Sequence, residues 1–159
     1  SATAVTVQLF SGVATGGDAE GDILNKIDNL IGSSGNDLLA GNFTSNKLEG
    51  GAGADTLNGG SGIDTLSYHA DISGVTISLA DGTATGGHAT GDSFTAFENI
   101  EGGSGNDDLT GDGTANVLLG TGGIGYADRK RGRRHPRGRL GWRHFERRRR
   151  DRFRSLSAV

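Results

Sequence analysis

Residues 32–67 read GSSGNDLLA, GNFTSNKLE, GGAGADTLN and GGSGIDTLS, four nonapeptides end to end in one register. The last two fit G-G-x-G-x-D-x-U-x without exception, where U is a large apolar residue. Two perfect copies in direct succession, beside two looser ones, make internal repetition the organising feature of the chain. The U positions are Leu39, Leu48, Leu57 and Leu66. Side chains alternate along a strand, so a three-residue strand closing each nonapeptide turns only its U residue inward. Eighteen residues then make one coil of turn, strand, turn, strand, which predicts an all-β fold.

The glycines at the first, second and fourth positions let the backbone take φ > 0 and turn tightly. A turn so rich in glycine exposes carbonyl oxygens. Together with one carboxylate per repeat, they suit a hard cation such as Ca2+, which takes about six to eight oxygen ligands. One large apolar side chain per nine residues is little to set against the entropy of ordering them. Metal binding is therefore expected to supply folding free energy.

A second period overlies the first. Residues 5–53 align without gaps on 75–123, with 24 of 49 positions identical. Each unit has a lead of about 27 residues and then a nonapeptide block. In the leads Val5, Val7 and Leu9, and Val75, Ile77 and Leu79, alternate with other residues and predict strands. The segments around Ile27 and Leu30, and around Phe97 and Ile100, are expected to lead into the first coil of each block.

The match stops after Gly123. Residues 129–159 hold 14 Lys and Arg and two acids, Glu146 and Asp151, whereas the residues before them hold two Lys and 17 acids. The net charge of −3 conceals about −15 followed by +12. A shifted reading frame accounts for this. Codons permitted for residues 125–152, read one nucleotide later, give DTLTGNAGDDTLEGGSGGDTLSGGAGTD, whose first twelve residues fall in register on DTLNGGSGIDTL of the first unit. The expected organisation is a repeat region over 1–124, in units 1–70 and 71–124, and a basic disordered tail over 125–159.

Cysteine is absent, so no disulfide or thiolate site exists. Methionine is absent too, and Ser1 is not expected to be the native start; the sequence reads as a fragment with no cleavable signal peptide at its beginning. No apolar run approaches the ~20 residues that span a membrane. An acidic, lysine-poor body argues against nucleic acid as its partner. GTGGIG at 120–125 has G-x-G-x-x-G spacing, but YADRKRGRRHP follows it in place of a helix and a spaced acid, so the repeat register explains these glycines better. His69 and His88 stand alone in different units, and no nucleophile–base arrangement stands apart from the repeats.

Residues 32–67 and 102–123 resemble the RTX, or haemolysin-type, calcium-binding repeats of large exported proteins. The resemblance implies a parallel β-roll with Ca2+ held between turns one coil apart on the same edge. The implied metal-site residues are Gly32, Gly35 and Asp37; Asn46; Gly50, Gly51, Gly53 and Asp55; Gly59, Gly60, Gly62 and Asp64; Gly102, Gly103, Gly105 and Asp107; and Asn116. Asp37 and Asp55 would share one edge, and Asn46 and Asp64 the other. Asp107 would pair with the turn beginning at Gly120, where Gly125 stands in place of an Asp. Neutral Asn46 and Asn116, with Thr44 and Thr114 at the fourth-position glycine, mark weaker sites.

The function implied is calcium binding by a non-catalytic, calcium-dependent folding module of a secreted protein, exported by the bacterial type I route. Two other readings remain open. The acidic region could present a calcium-bridged face to an anionic polysaccharide, or the basic tail, with Trp142 and Phe145, could bind nucleic acid.

Overall fold

The computed structural model describes residues 3–123 and 125–128. Among the described residues every strand is three residues long, the length left over when six of each nine residues go to a turn. In order they are β1 (Thr6–Gln8), β2 (Val13–Thr15), β3 (Asn29–Ile31), β4 (Leu38–Ala40), β5 (Lys47–Glu49), β6 (Thr56–Asn58) and β7 (Thr65–Ser67). The second unit continues with β8 (Thr76–Ser78), β9 (Thr83–Thr85), β10 (Ser93–Thr95), β11 (Asn99–Glu101), β12 (Asp108–Thr110), β13 (Val117–Leu119) and β14 (Tyr126–Asp128). Among the described residues there is no α-helix, only single 3-10 turns at Gly17–Ala19 and Gly87–Ala89, and so none long and apolar enough to cross a membrane.

Successive nonapeptides go to alternate sheets. One sheet has the order β10-β6-β4-β1-β2, a second β13-β11-β7-β5-β3, and a third β14-β12-β8-β9. All pairings are parallel except the hairpins β1–β2 and β8–β9. Leu39 lies opposite Leu57, and Leu48 opposite Leu66, each pair 18 residues apart. Those four leucines are at most 1% exposed and meet in one core with Val7, Ile77, Ile100 and Leu109.

The leads join the same stack. Val7 of β1 pairs opposite Leu39, and Ile77 of β8 opposite Leu109. Each of these strands is capped by its hairpin partner, which ends the parallel run. Between the units the stack continues through strands that belong to no nonapeptide: β10 sets Phe94 opposite Leu57, and β11 sets Ile100 opposite Leu66. Residues 23–25 of the first lead form no counterpart to β10, and Ile23 is 93% exposed. In the second unit β6 offers β10 an edge to pair with.

Pairing also runs past the boundary expected at residue 124. β14 lies parallel to β12 with Ala127 opposite Leu109. Main-chain pairing needs no particular side chain, and here alanine stands where the nonapeptides have leucine. Residues 129–159, where the rest of the expected basic tail falls, lie outside the described residues.

Candidate metal centre

Each nonapeptide turn brings its sixth-position side chain back under its own first glycine. Where that side chain is an aspartate, one of its oxygens is tied to the main chain of the preceding coil. The N–H of Asp37 donates to Asp55 Oδ1 at 2.8 Å, and the N–H of Asn46 to Asp64 Oδ1 at 2.7 Å. The lead strands supply the donors at the start of each block: Val5 N–H to Asp37 Oδ1 at 2.8 Å, and Val75 N–H to Asp107 Oδ1 at 3.1 Å. Asp37 and Asp55 therefore share one edge, and Asn46 and Asp64 the other.

The second oxygens divide the sites. Asp37 Oδ2 accepts the Ser33 N–H at 2.5 Å. Oδ2 of Asp55, Asp64 and Asp107 is buried with no hydrogen-bond partner among the described residues. A buried carboxylate oxygen without a donor is costly, so these three sites are short of a positive partner. Asn46 and Asn116 are not. Asn46 Oδ1 accepts the Asn42 N–H at 2.7 Å, and its Nδ2 donates to the Asp28 carbonyl at 3.0 Å. Asn116 repeats both bonds, from Asp112 at 2.9 Å and to Glu98 at 2.8 Å. Thr44 and Thr114, in place of glycine, direct their N–H groups to Asn42 and Asp112. These two turns are closed by hydrogen bonds of their own, with the asparagine side chains bonded to main-chain groups.

Among the described residues no three acidic or histidine side chains converge on a metal position. The remaining donors would be main-chain carbonyls, and the glycines leave room for them. Gly51 (φ +100°) and Gly53 (φ +124°) adopt a conformation that side-chain-bearing residues avoid, and a Cβ on either would strike the carbonyl oxygen of Ser33 or Gly35 one coil back. Likewise a Cβ on Gly62 would lie 2.7 Å from the Thr44 carbonyl, and one on Gly60 would meet that of Asn42. On Gly32 it would meet both the Gly50 carbonyl and the Asp37 carboxylate. In the second block, Gly102 leaves space for the Asp107 carboxylate, Gly103 for the Asp71 carbonyl, and Gly105 for the Gly74 backbone. Gly35 makes room for Ala4, Gly50 for Asp55, and Gly59 for Asp64. Carbonyl oxygens and single carboxylates are a donor set for a hard divalent cation. The turn after Gly120 packs on the Asp107 turn, Thr121 Oγ1 donating to the Gly103 carbonyl at 2.7 Å, yet Gly125 brings no carboxylate.

The family model for RTX calcium-binding nonapeptide repeats matches residues 27–66 and 95–126, in four copies. The chain carries RTX-type calcium-binding repeats. A search of curated proteins returned no match. The RTX match extends beyond the nonapeptides into 27–31 and 95–101, where the sequence pattern alone marks no site. The structure adds two acids that the nonapeptide template misses, Asp92 just before the second matched stretch and Glu98 within it. Their carboxylates accept the N–H groups of Asp55 at 2.8 Å and of Asp64 at 2.7 Å. The signal available was the offset of seventy, which sets Asp22 on Asp92 and Asp28 on Glu98.

Burial pushes the Asp55 carboxyl up to about 6, and the charges of Asp92 and Asp37 act the same way against the Asp37 N–H. Burial raises Asp64 and Asp107 as well. Without metal, the folded chain thus holds protons that the unfolded chain releases. The stability Asp55 lends is present below about 3.8 and lost as pH rises through about 6, and Asp64 and Asp107 act in the same direction. Asp71 is buried too, but N–H groups of His88, Gly74 and Ser73 hold it below 3.8, so its contribution is lost only at lower pH. Thermal melts in chelator are expected to show a more stable chain near pH 4.5 than at pH 7. Equal or greater stability at pH 7 would contradict this.

Proposed function

We propose that this chain is a non-catalytic module of a secreted RTX protein, which folds into a parallel β-roll when it meets extracellular calcium. The observation that carries the reading is the trio of buried, unpartnered carboxylate oxygens on Asp55, Asp64 and Asp107. Bound calcium would neutralise those carboxylates and gather the carbonyls of neighbouring turns; the chain's residues fix the spacing of the turns and exclude water from the leucine core. Sites with so few carboxylates belong with weak extracellular modules, whose dissociation constants run to about 10⁻⁴–10⁻³ M. That range would keep the chain unfolded inside a cell and fold it outside.

Calorimetric titration of the full chain and four variants tests this. Asp55→Ala and Asp64→Ala should each weaken calcium binding about tenfold or more, since each removes a charged ligand. Asn46→Ala and Asn116→Ala should change calcium affinity much less, because their side chains are already saturated by neutral hydrogen bonds. No calcium binding by the parent chain, or equal losses in all four variants, would refute the reading.

A further inference from the structure

We infer that the turn at residues 96–98, which belongs to no nonapeptide, completes a calcium site with Asp64 and so couples the two seventy-residue units through one ion. The inference rests on the calcium reading above and concerns where the stack is held together between its repeats.

Two relationships recur from coil to coil. In the first, the N–H at the sixth position of a repeat donates to the carboxylate one coil on. Across the junction, where the next coil arrives 34 residues later instead of 18, the acceptor for Asp64 is Glu98 Oε2 at 2.7 Å. In the second, the first glycine of a repeat faces the carbonyl of its counterpart one coil on: Gly32 faces Gly50, and Gly41 faces Gly59. Gly59 faces the carbonyl of Ala96. Ala96 holds φ +60°, rare for a residue with a Cβ, and Lys26 does the same at +55° seventy positions earlier. The turn thus reproduces the first-position carbonyl and the sixth-position acid of a repeat with neither in the sequence pattern.

The Ala96 carbonyl and the Asp64 carboxylate meet beside Gly59, and Glu98 is tied to the Asp64 main chain. A Cβ on Gly59 would lie 3.0 Å from Asp64 Cγ as well as against the Ala96 oxygen. Asp64 is fully buried, and its Oδ2 has no hydrogen-bond partner among the described residues. A main-chain carbonyl, a buried carboxylate oxygen and a second carboxylate beside it form an oxygen set for Ca2+. Asp92, on the opposite edge, is different. Its two oxygens accept from Asp55 N–H at 2.8 Å and Tyr68 Oη–H at 2.9 Å, which makes it a brace.

The test counts ions bound to the full chain by equilibrium dialysis in millimolar Ca2+, comparing the parent with Glu98→Gln, Asp64→Asn and the double variant. Asp18→Asn, at an exposed acid, controls for loss of charge. Each single variant is expected to lose the same one ion, and the double variant no more than either. A variant that no longer folds with calcium counts in the same way: Glu98→Gln and Asp64→Asn must then fail together. Glu98→Gln retaining the parent's number of ions, a double variant losing two, or failure of one single variant alone overturns the inference. A parent that binds no calcium at all would instead refute the calcium reading itself.

Discussion

Chelation at pH 7 is expected to convert the β circular-dichroism signal of the full chain into that of a coil, and millimolar calcium to restore it. Strands of three residues give few main-chain hydrogen bonds apiece, and each nonapeptide buries one leucine. Against that stand Asp55, Asp64 and Asp107, each with an oxygen buried and unpartnered among the described residues. A hydrogen-bonding group buried unsatisfied costs about 1–3 kcal/mol, and more when charged. Three such sites consume much of the roughly 5–15 kcal/mol by which domains are ordinarily stable. The ion removes that cost only in the folded state, so its binding is folding free energy. A chelated sample at pH 7 with full β signal and an unchanged melting temperature would show that the fold does not depend on the ion.

The second large effect lies in the core. In saturating calcium, Leu66→Ala is expected to cost about 2–5 kcal/mol, the range for emptying a buried leucine position. Leu66 is 0% exposed and sits between Leu48 and Ile100 in the middle of its sheet. A strand held on both sides cannot collapse around the gap. At about 2–4 °C per kcal/mol, the melting temperature should drop by roughly 4–20 °C. Ile63, in the turn just before β7, is 63% exposed, and Ile63→Ala should stay within about 0.5 kcal/mol. Equal shifts for the two variants would mean that the inward position is not where the repeat puts it.

Within the nonapeptides, spacing alone revealed this fold. A period of nine with one apolar residue fixes which side chain points inward, so Leu39, Leu48, Leu57 and Leu66 were readable; the sharing of edges by Asp37 with Asp55 and Asn46 with Asp64 came from the family resemblance. The junction was not. Its coils arrive after 34 and 37 residues, and β10 exists because β6 precedes it in space. Glu98 and Ala96 take up repeat-like roles through backbone conformation, which has no signature in residue type; an alanine at φ +60° looks like any other alanine. The boundary at 124 was drawn from side chains, whereas β14 is held by main-chain bonds that a changed sequence can still make.

The asparagine-closed turns bear on the order of assembly. Asn46 and Asn116 knit their turns without any ion, one in each unit, so each unit owns a seed that can form first. In a stack where every coil touches only its neighbours, growth can start anywhere and propagate. Two seeds seventy residues apart would let both halves begin independently and meet at the junction. Amides around residues 42–47 and 112–117 should then gain protection from hydrogen exchange at lower calcium than those around Asp55 and Asp64, which makes calcium the signal for completion and leaves initiation to the chain.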